Sequence, residues 1–270
     1  MAHQIAFYRR GSGLPERQMG SLYWQLNDLW STQSWASIEF TGRQKVLYYT
    51  AKDIYSPMIV YPYWNSNTTD LDIWVTSDLQ DAISGTLSYS WVDWHGNPLA
   101  VGGTVTINAA NATVHGNSTH GNGTQPSQPS TLNFRVNAIN STQVLHYPNL
   151  RNTFSNSNAN ISDAVLILTA QSGQYKHTQF FHPANLADIP IPDPGLTLSQ
   201  QGNGFRVTAT KAVAAWVWLE YDTNDVQGYW SENGFWLNKG ESKDVTFTVF
   251  SGSGDWASHV KVRSVYDNIG

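Results

Sequence analysis

From Met58 onward the chain is written in short β-rich runs separated by turn residues, and this pattern narrows its fold more than any other feature. The runs are 58–63, 71–77, 85–94, 103–109, 131–139, 163–170 and 175–182. Ser88-Tyr89-Ser90-Trp91-Val92-Asp93-Trp94 alternates with period two, and His95-Gly96-Asn97-Pro98 offers a hairpin turn. A strand of this kind has one apolar face that only a second sheet can cover, so about seven of them predict an antiparallel sandwich. Ile189-Pro190-Ile191-Pro192-Asp193-Pro194-Gly195 reads as a stiff linker. Beyond it, runs at 196–200, 204–210, 213–220, 235–238, 243–250 and 259–265 predict a second, smaller sandwich. In it Val245, Phe247 and Val249 alternate with Thr, and Trp216 and Trp218 share a face.

The first stretch has a different grammar. Residues 3–10 have helical character and stop at Gly11-Ser12-Gly13-Leu14-Pro15. Gly20-Ser21-Leu22-Tyr23-Trp24-Gln25-Leu26 is apolar enough for a short strand buried on both faces. After a Trp- and Ser-rich loop, Gly42-Arg43-Gln44-Lys45 opens a second helix. Its positions Val46, Leu47, Thr50, Ala51, Ile54 and Tyr55 form a 3.6-residue stripe before Ser56-Pro57 ends it. Helix, strand, loop and helix make half of a β/α repeat, which closes no fold by itself. Residues 1–55 are therefore expected to be poorly ordered or to drive association.

Composition excludes several functions. Of 270 residues 40% are hydrophobic and 13% aromatic, with 12 Trp, so core material is ample. Only 13% are charged and the formal net charge is −5, with no basic stripe, which argues against nucleic acid as a partner. No apolar run approaches the ~20 residues of a membrane span, and Met1–Arg10 lacks the apolar centre of a signal peptide. Cysteine is absent, which removes disulfides and thiol chemistry and leaves only His and carboxylates for metals. Six Asn-x-Ser/Thr triplets, at Asn67, Asn111, Asn117, Asn122, Asn140 and Asn160, nevertheless suggest a glycosylated, secreted protein. Three of them flank or occupy the low-complexity segment 114–130, which reads as a glycosylated surface loop.

The residues best suited to chemistry lie where the apolar run 20–26 ends in Asn27-Asp28-Leu29-Trp30. In a β/α barrel the C-terminal end of each strand carries the active site. A Trp face there suits the C–H groups of a sugar, and Gln, Asn and Asp suit its hydroxyls. A buried structural Trp is the competing reading.

Residues 16–55, with ERQMGSLYWQLNDLW, SWASIEFTGRQKVLYY and KDIYSP, resemble the eighth barrel strand and following helix of β-mannosidases in glycoside hydrolase family 2. HQIAFYRRGSGLPERQ, just before, is most similar to the fungal enzymes. The resemblance runs end to end and implies a mainly β chain. Two immunoglobulin-like β-sandwiches would be preceded by the terminal strand and helices of an incomplete (β/α)8 barrel, divided 1–56, 57–188 and 189–270. It also implies that the chain is a C-terminal portion of a secreted enzyme that releases terminal β-D-mannose with retention. β-Mannoside oligosaccharides would then be partners of the full-length protein only.

By that resemblance Trp24 lines the mannose subsite, and Asn27 and Asp28 shape or support it. Both family glutamates lie on earlier strands, so no catalytic residue is expected here, and Asp28 is expected to fix its loop. No cofactor or metal is implied. His115 and His120 lack a third ligand, and His177 and His182 fall on opposite faces of an extended segment. Trp230, Trp236 and Trp256 suit core packing better than a sugar platform. The alternatives are a non-catalytic carbohydrate-binding module, and sandwiches that buttress a barrel or form a homodimer contact.

Overall fold

The computed structural model describes residues 1–101, 106–107, 129–157, 159–222 and 225–269. Asn111, Asn117, Asn122, His115, His120 and most of the segment 114–130 lie outside the described residues. The chain forms two compact units. The first gathers Met1–Ser21, Ile54–Asp93 and Asn97–Ile189; the second gathers Leu22–Asp53, Trp94–Gly96 and Pro190–Gly270. The stretch expected to be a barrel remnant is thus divided between the two. Two helices precede the strands: α1 (Ala2–Arg10), in the first unit, and α2 (Val46–Ile54), in the second apart from its last residue.

The first unit carries β1 (Met58–Trp64), β2 (Leu71–Ser77), β3 (Ile83–Asp93), β4 (Thr106–Ile107), β5 (Ser130–Val136), β6 (Asn140–Tyr147), α3 (Leu150–Ser155), β7 (Ala164–Ser172) and β8 (Tyr175–Phe181). Its antiparallel sheets have the orders β1-β2-β6-β4 and β5-β3-β7-β8. Val60, Ile73, Val75 and Leu145 from one sheet and Leu87, Leu132, Phe134, Leu166 and Leu168 from the other share one buried cluster. Full burial of each such side chain stabilises the fold by roughly 1.5–3 kcal/mol.

Strand β1 is nearly continuous in apolar residues because both of its faces are covered. Met58 and Val60 point into the sandwich, while Ile59 and Tyr63 join Ile5 and Ala6 of α1 in a separate cluster with Ile54. Tyr63 Oη donates to the Ala6 carbonyl at 2.7 Å. Arg9, buried on the same helix, donates to the carbonyls of Ile54 and Ser56 and to Asp78 Oδ2. The first helix, expected to lack a partner, has one.

The second unit carries β9 (Leu196–Gln201), β10 (Gly204–Ala209), β11 (Ala214–Tyr221), β12 (Val226–Trp230), β13 (Phe235–Leu237), β14 (Ser242–Gly252), β15 (Val260–Arg263) and α4 (Tyr266–Ile269). Its sheets run β12-β14-β10-β9 and β13-β11-β15. Val207, Val217, Leu219, Trp230, Leu237, Val245 and Phe247 fill the space between them, and Tyr49 of α2 enters the same cluster. Val249 does not continue the inward alternation of Val245 and Phe247: it is exposed, and the register between β12 and β14 shifts just past it.

Three expectations change. Residues 20–26 form no strand; the nearest pairing is an isolated parallel bridge between Asn27 and Ile38. A strand buried on both faces needs neighbours, and Leu22, Trp24 and Leu26 are instead exposed. The second helix begins at Val46, not at Gly42. Strands β6 and β12 and helix α3 were not foreseen.

Candidate functional site

The loop that carries Trp24, Asn27 and Asp28 is organised by backbone pairing across its neck. Asp28 N–H donates to the Ile38 carbonyl at 2.9 Å and Ile38 N–H to the Leu26 carbonyl at 2.9 Å. Lys45 N–H donates to Ser37 O at 2.9 Å, tying the loop to the residues that lead into α2. The buried Ser37 hydroxyl donates to Leu26 O at 2.6 Å, and Tyr23 Oη lies 3.0 Å from Ser37 Oγ.

Asp28 is the electrostatic pin of this loop. It is only 6% exposed. Ser34 Oγ donates to its Oδ1, and Lys45 Nζ reaches its Oδ2 at 2.9 Å. Those two hydrogen bonds, Ser34 first, hold its carboxyl below the usual carboxylate range. Both oxygens are therefore engaged within the loop. Ser34 Oγ also accepts from Ala36 N–H at 2.9 Å, so carboxylate, hydroxyl and backbone form one chain of bonds.

The neighbours of Asp28 point elsewhere. The Trp24 side chain is 74% exposed and the Trp24–Gln25 peptide is cis. Asn27 is exposed and its amide donates to Asp28 O at 3.2 Å, while Gln25 Nε2 donates to Asn27 O at 3.2 Å. Trp30, Trp35 and Phe40 add further exposed rings to the same loop. The structure thus presents a pinned loop with aromatic faces open, and it places Trp24, Asn27 and Asp28 on one short stretch.

Other candidates resolve into structural roles. His177 is buried and its Nδ1 accepts from Val60 N–H at 3.2 Å, whereas His182 Nδ1 lies 2.8 Å from the Ala184 carbonyl. Trp230 is a core residue, Trp256 packs on Phe205 and Phe247, and Trp236 packs on Trp216 and Trp94. Among the described residues no group of three or more His, Asp or Glu is placed to hold a metal ion. None of their helices is long and apolar enough to cross a membrane. Sequence reasoning missed Tyr49. Its hydroxyl donates to Trp230 O at 3.3 Å and accepts from Trp230 N–H at 3.1 Å. Burial pushes that phenol well above its ordinary range.

Residues 69–186 match the Mannosidase Ig/CBM-like domain family, and residues 191–268 match the Ig-fold domain family of mannosidases. The two sandwiches thus define a class, the immunoglobulin-like accessory domains of mannosidases. Along nearly its whole length the chain is also similar to β-mannosidases. It is 39% identical over 98% of its length to Beta-mannosidase A of Aspergillus oryzae and 40% identical over 98% to that of Aspergillus niger. In both cases it spans about 27% of the relative's length. In fold it is similar to the β-D-mannosidase of Dictyoglomus thermophilum, at a TM-score of 0.65 and 15% identity, covering 97% of this chain and 28% of that one. It is also similar to the exo-chitosanase CsxA of Amycolatopsis orientalis, at 0.60 and 12%, covering 97% and 33%. The mainly β, immunoglobulin-like fold expected from the sequence is the one found.

Proposed function

We propose that this chain is the C-terminal portion of a secreted, retaining β-mannosidase that removes terminal, non-reducing β-D-mannose residues from oligosaccharides. The observation that carries the reading is the 39% identity to a β-mannosidase across 98% of the chain, a span that takes in the Trp24 loop as well as both sandwiches. Retaining hydrolysis needs two carboxyl groups about 5–5.5 Å apart, one as nucleophile and one as acid/base. Asp28, the buried carboxylate of the loop, is engaged by Lys45 and Ser34 and is not free for either role. Both catalytic glutamates then belong to barrel strands outside this chain, and the chain alone is inactive.

In this reading Trp24 offers its exposed face to the mannose ring, and Asn27 lines the rim. Asp28 positions them without touching sugar. The division 1–56, 57–188 and 189–270 describes the covalent order of barrel end and two sandwiches. Secretion is supported by the acceptor triplets, of which those at Asn67 and Asn160 are exposed and that at Asn140 is half-buried. The test is an assay with a chromogenic β-mannoside. No turnover is expected from this chain, and measurable turnover would overturn the assignment of the glutamates elsewhere. In a longer form of the enzyme that includes the barrel, Trp24→Ala should lower kcat/KM by about tenfold or more, the scale of one lost pocket contact.

A further inference from the structure

The second unit contains a cleft of about 290 Å³ away from the Trp24 loop tip. Its walls are the turn at Glu39, the residues leading into α2, and the facing stretches of β11 and β12. Tyr49 and Trp218 form an edge-to-face pair there, with ring centroids 5.7 Å apart, and the Arg43 guanidinium lies 4.7 Å over the Tyr221 ring. Gln44 lines this cleft too, and its side-chain Oε1 is buried without a hydrogen-bond partner among the described residues. A buried amide oxygen left unpaired is rare because its lost hydration is not repaid.

Three properties narrow what would repay it. Charge in the lining is balanced, with Glu39 and Glu220 against Arg43 and Lys45, so neither an anion nor a cation is favoured. Glu220 is already paired with Arg263 at 2.7 Å and Lys45 with Asp28 at 2.9 Å. The lining aromatics suit C–H faces, whereas Gln44 needs a hydroxyl, which can donate to Oε1 or accept from the amide nitrogen equally well. The volume lies at the lower end of the ~300–1,000 Å³ of small-molecule sites and has room for one ring, not a chain.

We infer that this cleft is a binding site for a single neutral pyranose residue, held through a hydroxyl on Gln44 and the aromatic wall of Tyr49 and Trp218. The site stands independently of the catalytic assignment above.

The test uses the full chain labelled with ¹⁵N and titrated with methyl β-D-mannopyranoside while the tryptophan indole N–H signals are followed. Saturable, millimolar-range shifts are expected at Trp218 and Trp230. Binding should weaken by roughly five- to tenfold in Gln44→Ala, the scale of one hydrogen bond. Glu39→Gln serves as a second variant: its turn is held by backbone bonds between Glu39 and Gly42 and between Glu39 and Arg43, so its fold is expected to survive. The Glu39 carboxylate lines the same cleft and can accept from a second ligand hydroxyl more strongly than an amide can, so this variant too should weaken binding, with an unchanged thermal midpoint. Linear drift without saturation would overturn the inference, as would shifts confined to Trp24, Trp30 and Trp35, or an affinity in both variants unchanged from that of the parent chain. Binding at the cleft by a chain inactive on mannosides would sustain this site whatever the outcome for the longer enzyme.

Discussion

Tyr49→Phe removes one oxygen from the interior of the second unit and leaves the ring that packs against Trp218. The lost hydroxyl accepts from Trp230 N–H at 3.1 Å and donates to Trp230 O at 3.3 Å. Trp230 ends β12, an edge strand whose one ladder partner among the described residues is β14, so the phenol completes its backbone pairing on the open side. Without it a buried N–H is stranded. That group dominates the cost, because the bond to the carbonyl is the longer of the two and a carbonyl tolerates partial satisfaction better. An unsatisfied buried donor costs about 1–3 kcal/mol, and retention of the ring argues for the lower half of that range. About 1–2 kcal/mol corresponds to a 5- to 30-fold change in the folded-to-unfolded ratio.

Two readouts follow. Hydrogen exchange at the Trp230 amide should accelerate by that factor, and the urea midpoint of the second unit should fall by about 1 M for a slope of 1–2 kcal/mol/M. Tyr49→Ala, which also empties the ring's place, should cost roughly 3–5 kcal/mol in total. Unchanged Trp230 exchange together with an unshifted transition in Tyr49→Phe would show that α2 is not held through this phenol.

Three further outcomes are expected. Gly85→Ala would bring a methyl group within 2.1 Å of the Gln171 carbonyl, so β3 and β7 must separate; a loss of about 1–3 kcal/mol in the first unit should be visible by denaturation. Because the Asp28 carboxyl is depressed in the folded chain, its anchoring is fully present above its unfolded value and is lost only as pH falls through the lower folded one. A ¹³C titration showing ordinary carboxylate behaviour at Asp28 would refute this. Trp30→Ser and Trp35→Ser, on rings about two-thirds exposed, should change unfolding stability by no more than about 0.5 kcal/mol yet reduce concentration-dependent light scattering.

Much of the fold could be read from local pattern, and the exceptions have physical causes. Strands β1, β2, β3, β7 and β10 announce themselves because their alternation or apolar run matches the faces they bury. Strand β6 hides because its pairing with β2 shifts register between Ile73 and Trp74, which breaks the period of two across Asn140–Tyr147. Strand β12 hides behind Gly228, whose missing side chain is required: a Cβ there would lie 2.4 Å from the Phe247 ring. The segment 20–26 misleads in the opposite sense, since its apolar residues promise burial that no strand among the described residues supplies. At the candidate site, the anchoring role of Asp28 could be anticipated from its neighbours in sequence. The Tyr49 phenol could not, because its partner is 181 residues away and no local period records such a meeting.

The two-sided covering of β1 has a practical consequence for anyone dissecting this chain. Cutting at the Ser56–Pro57 joint, where the sequence changes grammar, would strip α1 from Ile59 and Tyr63 and hand their apolar surface to water. An excised first sandwich should therefore be sticky and weakened. A version that retains Ala2–Arg10, even supplied as a separate peptide, should recover solubility.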